Sequence, residues 1–166
     1  MADFFRGHII IGGTCNPLVA EQLFRALQED QGGERIDELP ALCAEGWTTD
    51  DHRHLDYENE QAFNGCFGQL EDVCQAFGLA YIRRSEGFCE IEPEVVYWAP
   101  GMPLPDRYVL GADGEPMLPL RMLNHLRMLL EKARYKQAKA YLDTMLVVLP
   151  DENKLPPFVV VKETEA

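Results

Sequence analysis

From His54 to Glu60 apolar and acidic residues alternate. Leu55 and Tyr57 fall on one side, and Asp56, Glu58 and Glu60 on the other. A period of two predicts a strand with one buried face and one wet, acidic face. The pattern then changes period. Phe67, Leu70, Cys74 and Phe77 recur at helical spacing after Asn64-Gly65, and Gly78 suits the left-handed residue that ends a helix. Ala80–Ser85 predicts a second strand, and Glu86-Gly87 a hairpin turn. Phe88–Glu92 and Glu94–Trp98 continue the sheet, with Pro93 marking an edge or a bulge, and Ala99-Pro100-Gly101 stops it.

The flanks repeat these signals. Phe4–Ile11 reads as a strand closed by a Gly12-Gly13 turn. Thr14 or Asn16 can cap the next helix, Pro17 suits its first turn, and Val19, Leu23, Ala26 and Leu27 share one face. Gly32-Gly33 ends that helix, Pro40–Glu45 predicts a short helix, and Trp47–Asp51 a loop. Arg107–Gly111 and Glu115–Leu118 predict a hairpin. Leu120–Leu149 contains no Gly or Pro and reads as a long helix with a break near Arg134-Tyr135, its Leu123, Leu126, Leu130, Ala133, Leu142, Met145 and Leu146 facing a core. Phe158–Val161 adds an edge strand.

The order β-α-β-α-β-β, then a hairpin and a helix, predicts an α+β fold with an antiparallel or mixed sheet and helices on one face. A ferredoxin-like arrangement plus a C-terminal long helix is the nearest template. A length of 166 residues suits one domain over 1–162, with a frayed tail at 163–166.

Charge changes the picture. Residues 1–119 carry 22 acidic and seven basic residues, a balance of −15. Residues 120–166 carry six acidic and eight basic residues, a balance of +2. A field of the first sign disfavours direct nucleic-acid or anionic-membrane binding and favours basic protein surfaces. The basic side of the long helix (Arg121, Arg127, Lys132, Arg134, Lys136, Lys139) complements either the chain's own acidic sheet or a second subunit, so a homo-oligomer through this helix is one expectation. The five cysteines are irregularly spaced, and Asp3 stands where a signal peptide carries positive charge; a cytoplasmic, reducing setting is expected.

Candidate chemistry is sparse. Cys15 follows Gly12-Gly13-Thr14 at a helix start, where a thiol's pKa can be lowered. The Walker and GxGxxG patterns are both missing, and no cofactor is expected. His52 and His54, near Asp50, Asp51 and Asp56, are two apart and could share a metal. Asp56, Glu58 and Glu60, with Glu90, Glu92 and Glu94, would line one sheet face if their strands neighbour each other. Tyr97 and Trp98 would add an aromatic rim beside Pro100, Pro103 and Pro105.

The run of residues 58–101, an acidic strand, a Gly-flanked helix, an Arg-rich strand and a Glu-Pro-Glu strand closed by Pro-Gly, resembles small acidic α+β accessory proteins of phages and plasmids. That resemblance implies an accessory role, anti-restriction and anti-CRISPR inhibitors included. The residues point to a non-catalytic acidic binding module rather than an enzyme. Asp56, Glu58, Glu60, Glu90, Glu92, Glu94, Tyr97 and Trp98 would meet a basic surface, such as one that binds nucleic acid on a partner protein. The alternative is a small cytosolic enzyme using Cys15 or a His52/His54 metal site.

Overall fold

A computed structural model describes residues 3–30, 54–111, 113–145 and 150–161. The expected features at Gly32-Gly33, Pro40–Glu45, Trp47–Asp51, His52, residues 146–149 and the tail 163–166 lie outside the described residues.

The chain is α+β. Its strands are β1 (Phe4–Cys15), β2 (Leu55–Phe63), β3 (Ala80–Ser85), β4 (Glu94–Trp98), β5 (Asp106–Val109) and β6 (Phe158–Val160). Its helices are α1 (Pro17–Asp30), α2 (Gly68–Phe77), α3 (Leu120–Glu131) and α4 (Tyr135–Met145). The sheet order is β2-β1-β3-β4-β5, antiparallel throughout, and β6 runs parallel to the end of β1.

β1 is central because it is apolar on both faces. Ile9 and Ile11 enter the main core beneath α1 and α2, while Ile10 enters a smaller core on the opposite face. The strand does not turn at Gly12-Gly13 as its glycines predict. It runs on to Cys15 because the chain returns alongside: the Gly13 N–H donates to Pro157 O at 3.2 Å, and the Val161 N–H to Cys15 O at 2.8 Å. Gly12 serves close approach instead, since a Cβ there would lie 2.0 Å from Pro156 O.

The helix signals hold where local chemistry decides them. Asn16 Oδ1 accepts from the Val19 N–H at 2.9 Å, capping α1. Gly78 takes the left-handed conformation after α2 (φ 71°), and its N–H donates to Cys74 O. Val19, Leu23, Ala26 and Leu27 of α1 are buried, with Phe67, Leu70 and Cys74 of the second stripe; Phe77 is exposed. Each large aliphatic side chain so buried contributes about 1.5–3 kcal/mol. One cap is supplied from elsewhere in the chain. The Asp30 carboxylate, at the end of α1, accepts from the Gln69 and Leu70 N–H groups at 3.2 and 3.0 Å and so locks the start of α2.

Three expectations are revised. The ferredoxin-like pattern is present only as the β2–α2–β3 crossover that straddles β1; β1 and β2, joined through α1, are adjacent and antiparallel. Phe88–Glu92 is not a strand. Ser85 pairs directly with Glu94, and the intervening loop folds on itself through Phe88 and Ile91. The long C-terminal helix is two helices: the break expected near Arg134-Tyr135 falls at Lys132–Arg134, where Ala133 sits at φ 53°. Of the residues expected to face a core, Leu123, Leu130 and Leu142 are exposed. Leu129 of α3 and Ala138 of α4 are buried instead.

Candidate interaction surfaces

The alternation of β2 survives in three dimensions. Asp56, Glu58 and Glu60 are all exposed. Register places Glu58 beside His8 and Asp56 beside Ile10, on the face away from α1 and α2. Cross-strand chemistry tempers the acidic row. His8 Nε2 lies 2.6 Å from Asp56 Oδ1, and the Arg6 guanidinium donates to Glu58 and, at 3.1 Å, to Glu86. The Arg6 hydrogen bond holds the Glu58 carboxyl below its ordinary range, and the same bond raises Arg6.

The second carboxylate set does not line the face with the first. β2 and β4 are separated by β1 and β3. Glu90 and Glu92 stand exposed in the 86–93 loop. Glu94 turns to the helix-covered side and meets Arg83 and Arg107, the latter at 3.3 Å. Arg6 nevertheless gathers an acidic corner, because Glu86, its second partner, opens the loop that carries Glu90 and Glu92. Pairing patterns in a single strand could not reveal Arg6, Glu86 or His8 as members of this corner. All three depend on register between strands.

The two aromatic residues part company. Trp98 belongs to the main core, stacked on Tyr81 with ring centroids 6.3 Å apart, and its Nε1–H donates to Met102 O at 3.1 Å. It is therefore not a rim residue. Tyr97 lies half-buried on the opposite face, beside a groove of about 240 Å³ lined also by Asp106, Tyr108, Asp151 and Lys154. The segment 150–157 covers part of that face: Leu155 packs into the smaller core, Arg84 Nε donates to Glu152 Oε1 at 2.9 Å, and His54 Nε2 lies 3.0 Å from Leu155 O. What stays open beside it is a groove of about 440 Å³ bounded by Arg6, His8, Glu58, Arg84, Glu86 and Pro93.

Neither proposed reactive site is assembled among the described residues. Cys15 ends β1 just before the Asn16 cap of α1, but it is a core residue, 6% exposed. A buried thiol of this kind packs as a small hydrophobe. His54 is engaged with Leu155, and no group of three described His, Cys, Asp or Glu residues could hold a metal ion.

The buried charges form a separate constellation. Arg83 is fully buried beneath α2; its Nη1 donates to Gly65 O at 3.1 Å, and Glu71 and Glu94 flank it. Burial works against the Arg83 charge, but these carboxylates outweigh it and its pKa is raised. The Tyr81 hydroxyl donates to Glu71 Oε2 at 3.2 Å and accepts from Gln75 Nε2 at 3.1 Å. Burial, then the Glu71 charge, pushes its pKa up. This network ties α2 to the sheet.

α3 and α4 differ from every other element. They pack on each other, and none of their residues belongs to either core. Among the described residues, Arg121, Lys132, Arg134 and Lys136 of this hairpin have no carboxylate partner, whereas Arg127 and Lys139 pair with Glu131 and Asp143 at 3.0 Å. No described helix is long and apolar enough to cross a membrane. No family model, curated protein or solved structure matches the chain.

Proposed function

We propose that this protein is a non-catalytic binding module whose acidic corner engages a basic surface on a partner protein. The observation that carries this reading is the gathering of carboxylates by Arg6. Asp56, Glu58 and Glu60 stand exposed on one face of an edge strand, and Glu58 and Glu86 share the Arg6 guanidinium at the root of the loop bearing Glu90 and Glu92. Carboxylates so arranged steer and orient a cationic partner more than they add raw affinity. In its sharper form the partner's surface is one that binds nucleic acid, and the carboxylates take the place of phosphates. The resemblance of residues 58–101 to accessory proteins of mobile elements, inhibitors among them, favours that form. A cytoplasmic setting belongs to the same reading, as the irregular spacing of the five cysteines suggests.

The test is a binding titration against basic nucleic-acid-binding proteins over a range of salt, with and without competing nucleic acid. Binding is expected to weaken with salt and to be lost in an Asp56→Lys/Glu58→Lys/Glu60→Lys variant. Binding that ignores salt and survives this charge reversal overturns the reading.

A further inference from the structure

The α3–α4 hairpin is a two-helix unit with an uncovered apolar surface. Leu120 (71% exposed), Tyr135 (66% exposed), Leu123, Leu130 and Leu142 project from it, while Leu129 and Ala138 are buried and His125 and Tyr141 meet edge to face with centroids 4.7 Å apart. Helices of 12 and 11 residues are marginal alone, since isolated helices need about 12–15 residues even with favourable sequences. A pair this short is stabilised by burying its apolar face on something else. The hairpin is also basic. Residues 120–145 carry six Lys or Arg against Glu131 and Asp143, a balance of +4, whereas residues 1–119 balance at −15.

A surface of matching character lies at the other edge of the sheet. Phe4 and Phe63 are 61% and 52% exposed and stack edge to face with centroids 5.8 Å apart. They line a groove of about 540 Å³ together with Glu29, Asp30, Gln61 and Gln69. The groove is thus aromatic and acidic where the hairpin is aliphatic and basic. Within one chain the two are far apart in the sheet order. The hairpin leaves from β5 at one edge and the groove borders β2 at the other, about 19 Å away at ordinary strand spacing.

We infer that the hairpin of one copy docks into the Phe4/Phe63 groove of a second copy of this chain, with Lys132 and Lys136 meeting Glu29 at its rim. The docking is reciprocal, each copy supplying both a hairpin and a groove, so it closes as a two-fold, isologous dimer. Closure also supplies area. Two helices side by side present a footprint of roughly 340 Å² at their lengths and diameters, well short of the ~800 Å² per partner of a stable interface, and reciprocal docking doubles it. This assembly is independent of the acidic corner, since the corner and the groove use different residues.

The experiment uses the full chain and two charge variants. One reverses the hairpin (Lys132→Glu/Lys136→Glu) and the other the groove (Glu29→Lys/Gln61→Lys); all four positions are surface positions, and unchanged far-ultraviolet dichroism and urea midpoints verify the fold. Sedimentation equilibrium is expected to show wild-type self-association that weakens as salt rises from about 0.1 to 0.5 M. Each variant alone is expected to associate at least about tenfold more weakly. An equimolar mixture of the two is expected to recover wild-type association, because every hairpin then finds a groove of opposite charge. A wild-type chain that stays monomeric at about 100 μM, the concentration range of weak specific complexes, overturns the proposal. So does a mixture that stays monomeric. Retained association of the groove variant alone, as hairpin-to-hairpin packing would give, also overturns it.

Discussion

The Nε of Arg83 lies 2.8 Å from Oε1 of Glu71, with the guanidinium fully buried and the carboxylate nearly so. The pair joins β3 to α2, and Glu94 closes it from β4. Removing one member leaves a desolvated charge behind. Arg83→Ala is therefore expected to destabilise the fold by about 3–5 kcal/mol. An Arg83→Met/Glu71→Leu double variant, which removes both charges, is expected to lose much less. Urea denaturation of the three proteins checks the order.

Asp30 predicts a pH dependence of definite sign. Burial raises its pKa, although the Leu70 and Gln69 N–H groups pull it down. Between the unfolded carboxyl value of about 3.9 and the higher folded value, the native state binds more protons than the unfolded chain. Stability from this group is fully present below the unfolded value and is lost as pH rises through the folded one. The stability of wild type relative to Asp30→Asn is expected to increase on acidification through that window. Denaturant midpoints from pH 7 to pH 4 measure it, and a difference that stays flat or runs the other way contradicts the assignment.

Gly12 gives a steric prediction. Pro156 O lies only 2.0 Å from where a Cβ would stand, so Gly12→Ala must push the 156–157 segment off β1. The expected loss is at least the ~1–3 kcal/mol of an overpacked core. The amides of Gly13 and Val161, which bond across this junction, should exchange with solvent faster than in wild type. Unchanged exchange there would mean that β6 does not depend on the close approach.

The thiols should separate by burial. Cys89 is exposed. Cys66 is half-buried, with its pKa raised chiefly by burial; Cys74 is in the core, its pKa also raised by burial, and Cys15 is in the core beside it. Peptide-resolved alkylation of the native protein is expected to label Cys89 first, Cys66 slowly, and Cys15 and Cys74 only on unfolding. Rapid labelling of Cys15 would restore it as a candidate nucleophile.

Local patterns are legible wherever a neighbour in sequence decides the structure. The Asn16 cap, the Gly78 stop, the α1 stripe and the exposed face of Asp56, Glu58 and Glu60 all follow from spacing alone. The partners of those faces are not legible. Arg6 and His8 meet Glu58 and Asp56 across a register that joins residues about fifty apart. Glu94 reads as part of an acidic row, yet Arg83 draws it inward.

By itself the sequence determined the α+β class, the periodicity of each main element and the uneven charge, because these are properties of short stretches and sums. The tertiary structure alone decided that β1 lies at the centre of the sheet, that Trp98 and Cys15 are core residues, and that the basic helices stand apart from the acidic sheet. A period states which side of an element is apolar. What that side packs against depends on pairings between distant parts of the chain, where each contact competes with the entropy of closing a long loop.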